Sequence, residues 1–322
     1  MDFSEKESGS QAIRLIDGGP DAKVDADIIA RACASAADGR QYRVVEDDVV
    51  YTVEKYKKDA IAFCKLNEFP LDFIQEHYKP EPIERCLHSV KVMFKSIVEA
   101  AGAGSYQGYL TGGTNFRNTV AKTAPYKGNR WDRERRQQER DAGNWIEWLD
   151  ATEAKFKDSR RPEHFKACVK YLIKEFKCVV SEGEEADDLM GIDHMADLEH
   201  GIPSIICTID KDLDMIPGDH YRWPIHGTEA KLYTVSEEEA MMKFYCQLLT
   251  GDTTDNIIGI KGIGGKTAYK HLKDCESEFE MYTKAVELYD GDFDRVLENA
   301  RLLWIRRKEG ELWIPPVEKE TE

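Results

Sequence analysis

Residues 182–214 constrain the fold more than any other part of the chain. Glu182-Gly183-Glu184-Glu185-Ala186-Asp187-Asp188 opens a helix-like segment, and Gly201 closes it. Residues 202–209 then form a near-continuous apolar run that ends in Asp210-Lys211-Asp212. An apolar run without alternation reads as a strand covered on both faces, at the centre of a parallel sheet. Acids at the start of a helix and at the C-terminal end of such a strand lie where open α/β sheets gather ligands. Carboxylates packed this closely repel one another, and a fold keeps them when cations sit among them.

The composition narrows the class. The chain has 322 residues, 41% of them hydrophobic, enough for a sizeable core. A net charge of −16 argues against a general polyanion binder, but not against an enzyme whose acids are neutralised locally at metal ions. The eight cysteines include no CxxC pair, which points to reduced, buried thiols in a cytosolic protein, here the cytoplasm of a bacterium or infected host cell. No apolar run is long enough to span a membrane, and the acidic N-terminus does not read as a signal peptide.

The expected organisation is a leader over 1–21, an α/β domain over 22–250 with an insertion at about 127–161, and a C-terminal region over 251–322. Residues 22–25 read as a strand ending in Asp25, followed by a helix that Gly39 closes. Asp25 and Asp27 are each candidates for a site or for a helix cap, and Asp17 competes as the first acid. Residues 41–56 read as a hairpin, about 55–66 and 83–101 as helices, and 106–110 as the next strand. Between Lys127 and Arg140, cations alternate with acids, and Trp131, Trp145 and Trp148 follow at intervals. Lys127 and Arg130 suit contact with phosphate; the part beyond Arg140 reads as a solvated helix. Ser236 to Glu239 resembles a capping box, and residues 277–304 read as helical.

The acids return at Asp252 and Asp255, spaced three apart. With Asp25, Glu185, Asp187, Asp188, Asp210 and Asp212 they supply oxygen ligands from separate segments, the donor set of magnesium-class ions. Two such ions would clamp a phosphodiester between them. Gly262-Ile263-Gly264-Gly265-Lys266-Thr267 is not a P-loop, because that spacing needs glycine where Ile260 stands. It reads as a glycine-rich turn whose amides grip a phosphate backbone, with Lys266 and Lys270 beside it.

With these residues assembled, the chain resembles the 5′-nuclease superfamily: flap endonucleases, phage 5′–3′ exonucleases and the 5′–3′ exonuclease domain of bacterial DNA polymerase I. Gly183 to Asp188 fits GxEADD, Asp210 to Leu213 fits DKDL, and residues 251–268 fit GDxxDNIxG followed by a helix–two-turn–helix. The resemblance implies a PIN-like α/β fold with a mostly parallel sheet, an arch-like helical insertion and a C-terminal helix–two-turn–helix. It implies two Mg²⁺ or Mn²⁺ ions, with Asp25, Glu185, Asp187 and Asp210 in one group, and Asp188, Asp212, Asp252 and Asp255 in or beside the second. Lys127 and Arg130 would engage the scissile phosphate, with Asp210 as the third catalytic residue. Arg117, Gly262, Gly264, Gly265, Lys266, Thr267 and Lys270 would bind DNA, with K⁺ at the helix–two-turn–helix.

The implied activity is hydrolysis at or near 5′ ends of duplex or flapped DNA, extending to RNA–DNA hybrids, in phage replication or recombination. One departure stands out: the family carries another aspartate at the end of the next strand, where this chain has Gly112 or Gly113. The alternative it leaves open is a nucleic-acid-binding scaffold of the same fold with impaired catalysis.

Overall fold

The chain enters at the middle of its main sheet. In the computed structural model, which describes residues 13–128, 162–225 and 227–318, β1 (Asp21–Asp25) is a strand buried at four of its five positions. Its last residue, Asp25, hands over directly to α1 (Ala26–Ala37). β2 (Arg40–Glu46), β3 (Val49–Glu54), α2 (Lys57–Leu66), β4 (Ile74–Tyr78) and α3 (Ile83–Ala100) follow. The chain then forms β5 (Ser105–Leu110) and a short α4 (Arg117–Val120). Next come α5 (Phe165–Phe176), β6 (Val179–Val180), α6 (Ala186–Glu199) and β7 (Ser204–Cys207), then β8 (Gly218–Arg222), β9 (Lys231–Val235) and α7 (Glu237–Thr250). A two-stranded hairpin, β10 (Gly251–Asp252) and β11 (Ile257–Ile258), precedes α8 (Gly265–Leu272), α9 (Glu278–Leu288) and α10 (Phe293–Leu303).

The main sheet runs β6-β5-β1-β7-β8-β9. All its pairings are parallel except β8 with β9. This is the expected α/β architecture with a mostly parallel sheet. The apolar run at 202–209 supplies β7, fully buried beside β1. The registers align the C-terminal ends of β5, β1 and β7, because Asp25 pairs with Tyr109 and Val24 with Cys207. Acids placed just after these strands therefore emerge along one edge.

The described residues fall into two units: those within 13–27, 95–128 and 177–318 in one, and 28–94 and 162–176 in the other. The second unit holds an antiparallel sheet of order β3-β2-β4 over a small core of Val44, Ala60 and Cys64. The hairpin expected at 41–56 is β2 and β3; β4, Ile-Gln-Glu-His-Tyr, carries too little apolar pattern to be read from sequence. All eight cysteines are free thiols, six of them buried. No helix among the described residues is long and apolar enough to cross a membrane.

The boundary expected at 250/251 is not a seam. One apolar core joins Phe244, Tyr245, Leu248 and Leu249 of α7 to Ala268, Leu272, Ala285, Val296, Leu303, Trp304 and Trp313. The C-terminal helices continue the packing that α7 begins. Of the expected leader, residues 13–20 lie against the loop before β5, with Ile16 N donating to Ala103 O and Gly104 N to Pro20 O. The arch-like insertion expected at about 127–161 lies outside the described residues from 129 onward, and so does Arg130.

Candidate metal centre

Every described candidate metal ligand lies in the first unit. Asp25 ends β1 and is buried. Thr208, just past β7, donates its hydroxyl to Asp25 Oδ2 at 2.9 Å and accepts Asp210 N at 3.0 Å. One side chain thus ties the acid of one strand to the loop of the next. Asp210 Oδ1 in turn accepts Asp212 N at 2.9 Å, which folds the Asp-Lys-Asp turn onto itself. Sequence reasoning passed over Thr208, whose only signal was a hydroxyl at the end of an apolar run. Asp25 is buried and its charge acts on Asp187, whereas Asp17 is exposed on the segment before β1.

The start of α6 is built by the loop after β5. Thr114 Oγ1 accepts Gly183 N at 2.9 Å and Thr111 Oγ1 accepts Ala186 N at 3.1 Å. Glu185, the N-cap residue, receives Asn115 Nδ2 at 2.7 Å and the Lys127 ammonium on Oε1, and Tyr126 OH at 3.3 Å on Oε2. Asp187 sits in the first turn. Its carboxyl is held well above the usual range, first by burial and then by the charges of Asp25, Asp210 and Glu185, with Lys127 opposing them. Asp187 is therefore close enough to feel Asp25, Glu185 and Asp210.

Asp252 and Asp255 lie in the β10–β11 turn. Gly251 begins it at φ +69°, and a Cβ there would come within 2.4 Å of Ile257 O. Asp252 Oδ1 accepts Thr254 N at 2.6 Å and Asp255 N at 3.3 Å. Burial raises the Asp252 carboxyl, and Asp255 and Asp212 add to it. Asp210 is likewise raised, first by burial and then by Asp212 and Asp255, against the hydrogen bond from Asp212 N and the charge of Lys243. These electrostatic links join the turn to the strand-end acids.

Lys127 and Tyr126 bridge the two sets. Lys127 Nζ contacts Glu185 and lies 3.7 Å from Asp255 Oδ2, while Tyr126 OH donates to Asp255 Oδ2 at 2.7 Å. Lys127 N donates to Asp255 O at 2.8 Å, and Asn256 Nδ2 to Pro125 O at 2.9 Å, fixing the 125–128 turn to the hairpin. Lys243 Nζ pairs with Asp212 Oδ1 at 3.2 Å. Tyr126, Asn115 and Lys243 are site residues that the motifs alone did not single out; Tyr126 and Asn115 stood only as neighbours of the basic and Arg117 motifs.

Two assignments change. Asp188 is fully buried, and both oxygens are taken: Oδ1 by Arg117 Nη2 and Arg306 N, Oδ2 by Arg117 Nη1 and Glu185 N. Burial alone would raise its carboxyl, but the Arg117 guanidinium outweighs it and holds it low. With its lone pairs used, Asp188 is a structural cap rather than a metal ligand. Arg117 is 3% exposed and also donates to Leu302 O and Trp304 O, so it fastens α6 to the end of α10 and does not face DNA.

Gly112 is not a ligand position that lost its side chain by a simple exchange. Its N–H donates to Ser181 Oγ at 3.0 Å, and a Cβ would lie 2.0 Å from Ser181 O. An acid reaches the end of β5 from α1 instead: Asp27 Oδ2 accepts Thr111 N at 2.7 Å. Lys261, Gly262, Gly264, Gly265, Lys266, Thr267 and Lys270 are exposed around the start of α8, well placed in type and access for a backbone phosphate.

Among the described residues, no three His, Cys, Asp or Glu side chains already stand as a closed ligand set, and Lys127 lies among the acids. The donor set itself is all carboxylate, and burial, followed by the charges of neighbouring acids, raises Asp187, Asp210 and Asp252. That combination fits a hard divalent cation with oxygen ligands.

No family profile matches the chain. Among curated proteins, DNA polymerase I of Chloroflexus aurantiacus is 36% identical over 110 residues, and the thermostable DNA polymerase I of Thermus caldophilus 35% over 103. Each match covers 30% of this chain, which spans 12% of the length of either polymerase. The bacteriophage T5 flap endonuclease, in a pseudo-enzyme–product complex with DNA and metal ions, superposes with a TM-score of 0.55 at 15% identity, over 88% of each chain. The T5 5′-exonuclease with divalent zinc bound gives 0.52 at 15% identity, over 90% of this chain and 89% of that one. The chain has the fold of the T5 5′-exonuclease.

Proposed function

We propose that this chain is a divalent-metal-dependent 5′ nuclease that hydrolyses phosphodiesters at or near the 5′ ends of duplex or flapped DNA. The observation that carries the proposal is the grouping of Asp25, Glu185, Asp187 and Asp210 with Asp212, Asp252 and Asp255, drawn from distant segments to one side of the sheet and bridged by Lys127. The fold shared with the T5 enzyme and the local identity to DNA polymerase I support the same substrate class.

Asp25, Glu185, Asp187 and Asp210 would hold one ion, and Asp212, Asp252 and Asp255 would hold or border a second. Mg²⁺ or Mn²⁺ bound there would supply Lewis-acid activation of water and charge neutralisation at the phosphate. The side chains do the rest. Lys127, with Arg130 beside it in sequence, orients and neutralises the scissile phosphate. Tyr126 and Asn115 donate hydrogen bonds to Glu185, and Thr208 ties Asp25 to the Asp210 backbone. The exposed glycine-rich turn before α8, with Lys266 and Lys270, holds the duplex backbone independently of sequence, in the manner of a helix–two-turn–helix with a K⁺ ion. A phage replication or recombination role in a bacterial cytoplasm and activity on RNA–DNA hybrids belong to the same proposal.

The second reading, a scaffold with impaired catalysis, rests on Gly112, where no side chain fits. One experiment separates the two: purified protein with 5′-labelled blunt, flapped and gapped duplexes, with and without Mg²⁺. Metal-dependent cleavage supports the nuclease. Binding without cleavage in Mg²⁺ or Mn²⁺ supports the scaffold. Mononucleotide products from blunt ends identify an exonuclease, and one discrete oligonucleotide from flaps identifies a flap cutter.

A further inference from the structure

Lys127 does not point at an open space waiting for phosphate. Its ammonium lies on Glu185 and within 3.7 Å of Asp255, so it joins an acid of the α6 start to an acid of the β10–β11 turn. It sits over the Tyr126 ring at 5.1 Å, and its backbone holds φ +53° while donating to Asp255 O. The Tyr126 hydroxyl spans the same two carboxylates. The left-handed backbone, the aromatic floor and the two acids together fix the ammonium at this place.

We infer that Lys127 is a built-in counter-cation that competes with the divalent metal for Glu185 and Asp255, and that metal entry releases it toward the substrate phosphate. The inference rests on the nuclease reading and adds an order of events to it. Without metal, the ammonium offsets part of the charge of Glu185 and Asp255, while the Lys127 amide holds the 125–128 turn to the hairpin. A divalent ion carries more charge and accepts several oxygens at once, so it displaces a monovalent ammonium. The displaced ammonium can then turn to an anion such as a substrate phosphate.

The consequence is a pair of opposite effects from one substitution. Lys127→Met should bind Mn²⁺ about tenfold more tightly in the absence of DNA, because the metal no longer displaces a charge-assisted hydrogen bond. The same variant should cleave more slowly. The measurement is Mn²⁺ binding by electron paramagnetic resonance on the intact, DNA-free chain, for wild type, Lys127→Met and Lys127→Gln. Lys211→Met serves as the control for general charge, since Lys211 lies between Asp210 and Asp212 in sequence. Thermal melting with and without Mn²⁺ gives a second readout: both Lys127 variants should gain more stability from the metal than wild type does.

Tighter binding in the Lys127 variants, and less change in Lys211→Met, supports the inference. Unchanged or weaker Mn²⁺ binding in folded Lys127→Met and Lys127→Gln overturns it, and so does equal tightening in Lys211→Met. Wild-type cleavage with Mg²⁺ keeps the two proposals apart. If wild type cleaves DNA but the Lys127 variants bind Mn²⁺ no more tightly, only the counter-cation role fails; if wild type does not cleave, the nuclease reading fails whatever the binding data show.

Discussion

Two ion pairs flank the same helix start and behave differently. Arg117 with Asp188 lies at the base of α6, both side chains at most 3% exposed, with every carboxylate lone pair used. Lys127 with Glu185 lies three residues away in the acid sequence, with the lysine side chain 22% exposed and shared among Glu185, Asp255 and the Tyr126 ring. The first pair is a closed network that holds α6 to the end of α10. The second is an open one in which a partly exposed ammonium is shared between two acids of a larger cluster. Residue type does not separate them; both are a cation on an acid of one short motif. Burial and the number of satisfied lone pairs do, and these decide which pair can exchange its partner for a metal or a phosphate.

The comparison breaks most readily at the buried pair. Arg117→Met strands the Asp188 carboxylate in the interior and should lower unfolding free energy by about 3–5 kcal/mol in urea titration. Adding Asp188→Leu should restore part of that loss, because a buried pair removed whole costs less than a pair removed by half. A variant within 1 kcal/mol of wild type would show, on the scale of surface pairs, that this network carries little.

The open pair should answer in rate rather than stability. Lys127→Met should reduce cleavage by about 10²–10³, the range for losing one donor aimed at developing charge. Its stability should move by less than about 1 kcal/mol, since the pair is partly solvated. A large loss of stability with unchanged cleavage would reverse the roles assigned to the two pairs.

His194 extends the buried class to the middle of α6. It is fully buried, its ring nitrogens facing Ser204 Oγ and Pro217 O. Burial, helped by His220, pushes its pKa down to about 4. A depressed histidine binds its proton more readily in the unfolded chain. Its contribution is therefore whole above about pH 6.5 and falls away as the pH drops toward 4, by about 3 kcal/mol at most. His194→Gln should flatten the acid side of the stability profile between these values. An unchanged slope in that window would place the acid sensitivity elsewhere. The smallest effect is expected at Lys243, whose pair with Asp212 is about a third exposed on both sides. Lys243→Ala should cost under about 1 kcal/mol by thermal denaturation.

How much of this was legible in the sequence follows the same division. The apolar run at 202–209 announced β7, and strand-end acids announced the sheet edge, because burial and strand termini leave a local pattern. The glycine-rich turn before α8 was legible for the same reason. Asp188 was not. Its spacing from Glu185 puts the two acids on one helical face, which suits shared ligation, yet the carboxylate turns back to Glu185 N and is claimed by Arg117. That claim comes from a residue 71 positions away, and no local periodicity encodes it. Arg117 stood as a DNA contact on the resemblance alone, and nothing local shows that its guanidinium turns inward to Asp188 and the end of α10. Thr208 and Tyr126 were missed because a hydroxyl gains its meaning from the acids it joins, and Tyr126 joins residues 185 and 255.

Asp210 lies in the loop just after β7 and is tied to both acid groups through Thr208 and Asp212. Asp210→Asn keeps the side-chain shape, removes one repelling charge, and should raise or preserve the melting temperature of the metal-free protein. The direct test compares this variant with wild type on a 5′-labelled flap duplex in Mg²⁺, at matched DNA occupancy. The prediction is that wild type cleaves and the variant loses more than about 100-fold of the rate while still binding the duplex. Cleavage by Asp210→Asn at the wild-type rate would contradict the assignment of this acid cluster as the nuclease centre.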